Sequence, residues 1–280
     1  MTIARTPALR SPANAFTDHP SIQVFGARSR PFRALIPALE EYNQNRSRIC
    51  ECESVAHALG LLGVRIANNT PGGASPPSPI TLARLVNSAL GRIDLGGCRF
   101  VDVMSALETY GVDAYHSDEC DDGEPVTMLT PMSADQHEFC YRHRYGLQVT
   151  PIDPRGPDAW EQIKEVLAEG FPIQAEFGVT PEFEALGVDE PATSAMLEGP
   201  AHAGHSVLIL GYDMTLNQLF AFTSWSGFDR MSVDPDCEYY TDDRLLYGMF
   251  RVRREAVPAF WALRAIIGVR DLCPAEIEES

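Results

Sequence analysis

Lysine is almost missing from this chain: of its 22 basic residues only Lys164 is a lysine. We read that bias as codon usage rather than chemistry. Positive charge as a whole is scarce, with 39 acidic residues and a formal net charge of −17. Such a surface repels phosphate backbones and anionic lipids, which argues against nucleic acid and membrane partners. No apolar run approaches the roughly 18 residues that a membrane helix needs. The first twenty residues, "MTIARTPALRSPANAFTDHP", lack the continuous apolar core of an export signal. The expected location is the cytoplasm or an assembled particle. A disulfide framework is lacking too. Cys50, Cys52, Cys98, Cys120, Cys140, Cys237 and Cys273 are odd in number and irregularly spaced. In a chain this long they read as thiols.

What is present is an ordinary globular composition, 45% hydrophobic and 22% charged over 280 residues. That length can bury a core without staples. Residues 1–32 form an arm rich in Pro, Arg and Ser. Its arginines and the acidic body should attract, so it is expected to lie along the chain's own surface or to hold a neighbouring subunit. Residues 33–112 read as a mainly helical lobe. Val55, Leu59, Leu62 and Ile66 recur at helical spacing. Ser78-Pro79 opens a second helix, and Gly111 closes a third. Residues 113–159 read as a loop-rich connection. Residues 160–280 read as mainly β, after a helix ending at Gly170. Its strands are "PIQAEFGV", the β-branched run "HSVLILGYD", its hairpin partner "LFAFTSW" and "LYGMFRVRR". Helices first and antiparallel strands after them predict an α+β fold.

Six segments in order resemble the papain-like cysteine peptidases, bacterial and phage-type members above all. They are "ESVAHALGLLG", "SPITLARLVN", "GGCRFVDVMSALETYGV", "IKEVLAEGFPIQAEFGV", "GHSVLILGYD" and "FTSWSGF". The resemblance implies a two-lobed fold, a helical lobe and an antiparallel barrel-like lobe, with the active-site cleft between them. It also implies four working positions. A cysteine at a helix N-terminus attacks, a histidine shuttles the proton, an asparagine orients the histidine, and a glutamine six residues before the cysteine donates to the oxyanion.

On that resemblance His205 takes the histidine position, after Gly204 and at the head of its apolar strand. Thr223 takes the orienting position. The nucleophile position has two registers. With Cys52 the helix begins at Glu53, and a carboxylate there would oppose a thiolate. With Ser54 it begins at Val55 and places small residues where the family has them. Ser54 is the better fit, with Cys52 as the alternative. Six residues before Ser54 stands Arg48, which takes the oxyanion position. Serine, threonine and arginine in place of cysteine, asparagine and glutamine imply little papain-type turnover.

The expected function is therefore a catalytically degenerate papain-fold protein. It would bind protein or peptide, or serve as a subunit of a larger assembly such as a phage particle. The alternative is an active peptidase or amidase using Cys52 and His205. No cofactor and no metal are expected. "HEFCYRH" spaces His137, Cys140 and His143 too evenly to converge on one ion, and the acidic run 118–124 lacks a calcium-loop pattern.

Overall fold

The computed structural model describes residues 22–24, 49–67, 73–91, 97–114, 131–225, 228–230 and 248–273. The expected arm at 1–32, apart from 22–24, lies outside these residues, as do Arg48 and the acidic run 118–124. The chain divides into two compact units: residues 44–148 with 269–280, and residues 1–43 with 149–268. Among the described residues no helix is long and apolar enough to cross a membrane.

The first unit is built on helices. α1 spans Cys50–Leu61, α2 Pro79–Ala89, α3 Phe100–Thr109 and α4 Ala134–Tyr141. α1, α2 and α3 pack on one another, burying Val55, Leu59, Leu82, Leu85, Val103 and Leu107. α2 starts where expected: the Ser78 hydroxyl accepts from the Thr81 N–H at 3.1 Å, with Pro79 in the first turn. Such a cap stabilises a helix by about 1 kcal/mol. α3 stops at Gly111, whose φ of 86° only glycine adopts freely. A Cβ there would lie 1.8 Å from the Cys140 carbonyl oxygen. The short strands β2 (Ile66–Ala67) and β3 (Ala74–Ser75) pair antiparallel beside the helices.

The stretch 113–159 is more ordered than its turn-rich composition suggests. It holds α4 and an eight-residue strand, β4 (Tyr145–Ile152). α4 carries a capping box, Ser133 with Gln136. Only Cys140 on it is buried, so it shows no apolar stripe.

The second unit is organised on a sheet. β1 is Ile22–Val24, β5 Ile173–Val179, β6 Pro191–Ala192, β7 Ala203–Asp213, β8 Gln218–Phe222, β9 Met249–Arg253 and β10 Ala262–Asp271. The sheet order is β4-β10-β5-β7-β8-β9-β6, with β1 beside β7. It is an open sheet rather than a closed barrel. β6 joins β9 in parallel, while β10–β5, β5–β7, β7–β8, β8–β9 and β1–β7 are antiparallel. Helices α5 (Ala159–Ala168), α6 (Pro181–Glu184) and α7 (Ser194–Glu198) accompany it.

The β7–β8 turn is set by Asp213, whose carboxylate accepts from the N–H groups of Thr215 and Leu216. Asn217 adopts φ 52° at its end, a conformation asparagine tolerates better than most residues. Phe177, Phe183, Phe250 and Phe260 are fully buried. Phe183 sits 4.8 Å from Phe177 and 5.0 Å from Phe228, centroid to centroid. Phe177 of β5 and Phe250 of β9 both pack against Phe183, and Phe177 meets the His205 ring edge-on.

Candidate active site

In the helical unit the informative feature is where α1 begins. Its first residue is Cys50, after Ile49, and the first helical bond runs from the Glu53 N–H to the Ile49 carbonyl at 3.0 Å. The thiol of Cys50 therefore stands at the end of the helix where N–H groups lack intrahelical partners and the dipole favours an anion. Cys50 is half-buried.

The two candidate positions read from the sequence lie further along this helix. Ser54 was expected just ahead of the helix but is its fifth residue, 4% exposed. Cys52, the alternative, is its third residue and fully buried. Cys52 Sγ lies 3.6 Å from Cys98 Sγ, and that contact, with burial, pushes its thiol well up. Neither residue occupies the helix N-terminus. Glu51 and Glu53 are also buried, although a binary pattern assigns carboxylates to a surface or a loop. Burial pushes the Glu53 carboxyl well up, toward its uncharged form.

The shift by one turn also moves the residue six positions upstream. Six before Cys50 is Gln44 rather than Arg48. Both lie outside the described residues. The Gln-x5-Cys spacing from Gln44 to Cys50 is a signal the sequence itself carries for this register.

In the sheet unit the residues expected to work together are in contact. His205 enters β7 opposite Phe177 of β5. Its Nε2 lies 2.7 Å from Thr223 Oγ1, in a buried contact. The Trp225 indole stacks on the imidazole at 4.3 Å between centroids and 27° between planes, and Phe177 meets it edge-on at 5.8 Å. Thr223 is held by its own backbone, its N–H donating to the Gly248 carbonyl at 2.8 Å. Its hydroxyl also accepts from the Trp225 N–H at 3.3 Å. His205 is 4% exposed, and burial lowers its pKa to about 3, which keeps the ring neutral.

Other histidines are differently engaged. His202, the nearest rival in sequence, is exposed and lies 3.2 Å from Glu184 Oε1. His143 uses Nδ1 on the Phe139 carbonyl at 2.9 Å. Among the described residues no three side chains of metal-binding type come together.

The structure thus sets the Cys50 thiol at the start of α1 in one unit, and His205 beside Thr223 and Trp225 in the other. A family model described as "Peptidase_C39 like family" matches residues 38–241. The chain belongs to that family. Solved structures agree on the fold. Xylellain, a cysteine protease from Xylella fastidiosa, matches with a TM-score of 0.58 at 16% identity, over 82% of each chain. Procathepsin L2 from the larval midgut of Tenebrio molitor matches at 0.53 and 17% identity, over 90% of this chain and 69% of that one. The clostridial cysteine protease Cwp84 after propeptide cleavage matches at 0.54 and 13% identity, over 84% of this chain and 55% of that one. No curated protein matches the sequence.

Proposed function

We propose that this chain is an active thiol hydrolase of peptide or amide bonds, with Cys50 as its nucleophile. The observation that carries the reading is the start of α1 at Cys50. It puts a thiol where thiolate is favoured and brings Gln44 to the spacing of an oxyanion donor. His205 is the general base. With Nε2–H donating to Thr223 Oγ1, its Nδ1 is left to take the Cys50 proton and pass it to the leaving amine. Trp225 keeps water from the His205–Thr223 contact. The thiolate attacks the carbonyl carbon, and water then releases the acyl group. The partners are peptides or proteins, and this chemistry asks for no cofactor.

A second reading keeps the papain fold for binding or for a structural subunit, as in a phage particle. Thr223 favours it, because a hydroxyl orients imidazole less firmly than an asparagine amide. The neutral, desolvated His205 favours it as well.

Alkylation by a peptidyl vinyl sulfone, followed by peptide hydrolysis assays, separates these readings. We expect labelling at Cys50 and turnover that falls about 10³-fold or more in Cys50→Ala and in His205→Ala. Ser54→Ala should retain most activity. Turnover that survives Cys50→Ala sinks the assignment, and a chain that neither labels nor hydrolyses supports the binding role.

A further inference from the structure

Cys52 and Cys98 are 46 residues apart in sequence, and their sulfurs are 3.6 Å apart. Cys52 lies in the first turn of α1. Cys98 immediately precedes Arg99, the residue that caps α3. Neither thiol has a part in the proposed hydrolysis. On a helix of 3.6 residues per turn, positions two apart point about 200° from each other. Cys52 therefore faces the α3 side of the helix while Cys50 faces away.

We propose that Cys52 and Cys98 are a redox-modification site, in which a small disulfide of the glutathione class converts the two thiols to one intramolecular disulfide. The bond would tie the first turn of the Cys50 helix to the start of α3. Cys98 reacts first, since it is partly exposed and Cys52 is fully buried. The Cys98 thiolate, its proton lost to solvent, attacks one sulfur of the small disulfide. A mixed disulfide forms and one small thiolate leaves. Cys52 then gives up its proton and attacks Cys98 Sγ, expelling the second small thiolate. The two protein thiols lose two electrons, and the small disulfide gains them as it becomes two thiols. Because the Cys52 thiol is pushed up by Cys98 and by burial, the second step should quicken as pH rises. The sulfurs must close to about 2.05 Å.

The pair is testable on the full chain in glutathione buffers of stepped composition, followed by alkylation and trypsin. Trypsin leaves Cys50 and Cys52 on one peptide, 49–65, and Cys98 on another, 93–99. We expect these two peptides to become linked, with fragmentation of the native peptide placing the bond on Cys52. The link should persist in Cys50→Ala, vanish in Cys98→Ser and reverse with dithiothreitol. Oxidation should raise the melting temperature by roughly 5–10 °C, as a closed loop of this length implies. Full alkylation of both thiols at every buffer ratio would overturn the proposal, as would a bond on Cys50. An unchanged melting temperature would overturn the clamp. No readout uses turnover, so this test can fail while the peptidase reading stands, and the reverse.

Discussion

The His205 imidazole and the Thr223 hydroxyl meet at 2.7 Å beneath the Trp225 indole, in a contact closed to solvent. An amide oxygen in this place would only accept, and so would force one tautomer. A hydroxyl can accept or donate, but Thr223 Oγ1 already accepts from the Trp225 N–H, so one further lone pair is left for the ring. Thr223→Val keeps the shape and removes both roles, and leaves a buried imidazole nitrogen unsatisfied, at about 1–3 kcal/mol. We expect kcat to fall about 10–10²-fold with KM little changed. Thr223→Asn should keep or raise kcat. Steady-state kinetics of the two variants decide it: a Val variant as fast as the parent would show that His205 needs no orientation from this side.

Gly248 controls Thr223 from below. Its φ is 63°, and a Cβ there would lie 2.1 Å from the Thr223 carbonyl oxygen. Gly91 has nearly the same φ, 61°, with nothing within 4 Å of its Cβ position. The two glycines separate backbone strain from collision. Gly91→Ala should lose about 1 kcal/mol of stability, for strain alone. Gly248→Ala should lose more, because the Thr223 backbone must move, and kcat should fall with it. Urea unfolding of both variants checks this, and equal losses would mean that the Thr223 strand end gives way freely.

Much of the fold is legible in the sequence because burial and periodicity coincide there. β7 carries the apolar run Val207–Leu210 between Gly204 and Asp213, and His205 stands visibly near its head. α2 announces itself through Ser78-Pro79. The structure hides its other parts in residues whose burial contradicts their type. Glu51 and Glu53 are buried within the first turn of α1, so the polar stretch reads as the approach to a helix that has already begun. The nucleophile proposed here, Cys50, therefore stands a turn ahead of Ser54. α4 fails in the opposite sense, since it is exposed nearly all round and has only its capping box to mark it. β10 carries strand-forming residues in "ALRAIIGV" but no turn signal that bounds it sharply. His205 and Thr223 are 18 residues apart and meet only because β7 and β8 form a hairpin.

Three buried titratable groups give opposing pH dependences, and one substitution separates them. Burial lowers His57 and His205 to about 3, from an ordinary 6.5. Between those values the unfolded chain binds protons that the folded chain refuses. Their contribution is therefore fully present above about pH 6.5 and is lost as pH falls toward 3. Glu53 runs the other way. Its folded pKa is raised well above 4.5 by burial, so above about pH 4.5 the unfolded chain releases a proton that the folded chain keeps. Stability from this group is fully present below that pH and declines as pH rises, by about 1.4 kcal/mol per pH unit until the folded carboxyl ionises. Glu53→Gln removes that decline and leaves the histidine side untouched. The variant and the parent should unfold at similar urea concentrations near pH 4.5 once any constant offset is subtracted. By pH 8 the variant should be the more stable relative to that baseline. A midpoint difference that stays flat from pH 4.5 to 8.5 would mean that Glu53 is ionised in the folded chain, and would return a negative charge to the first turn beside Cys50.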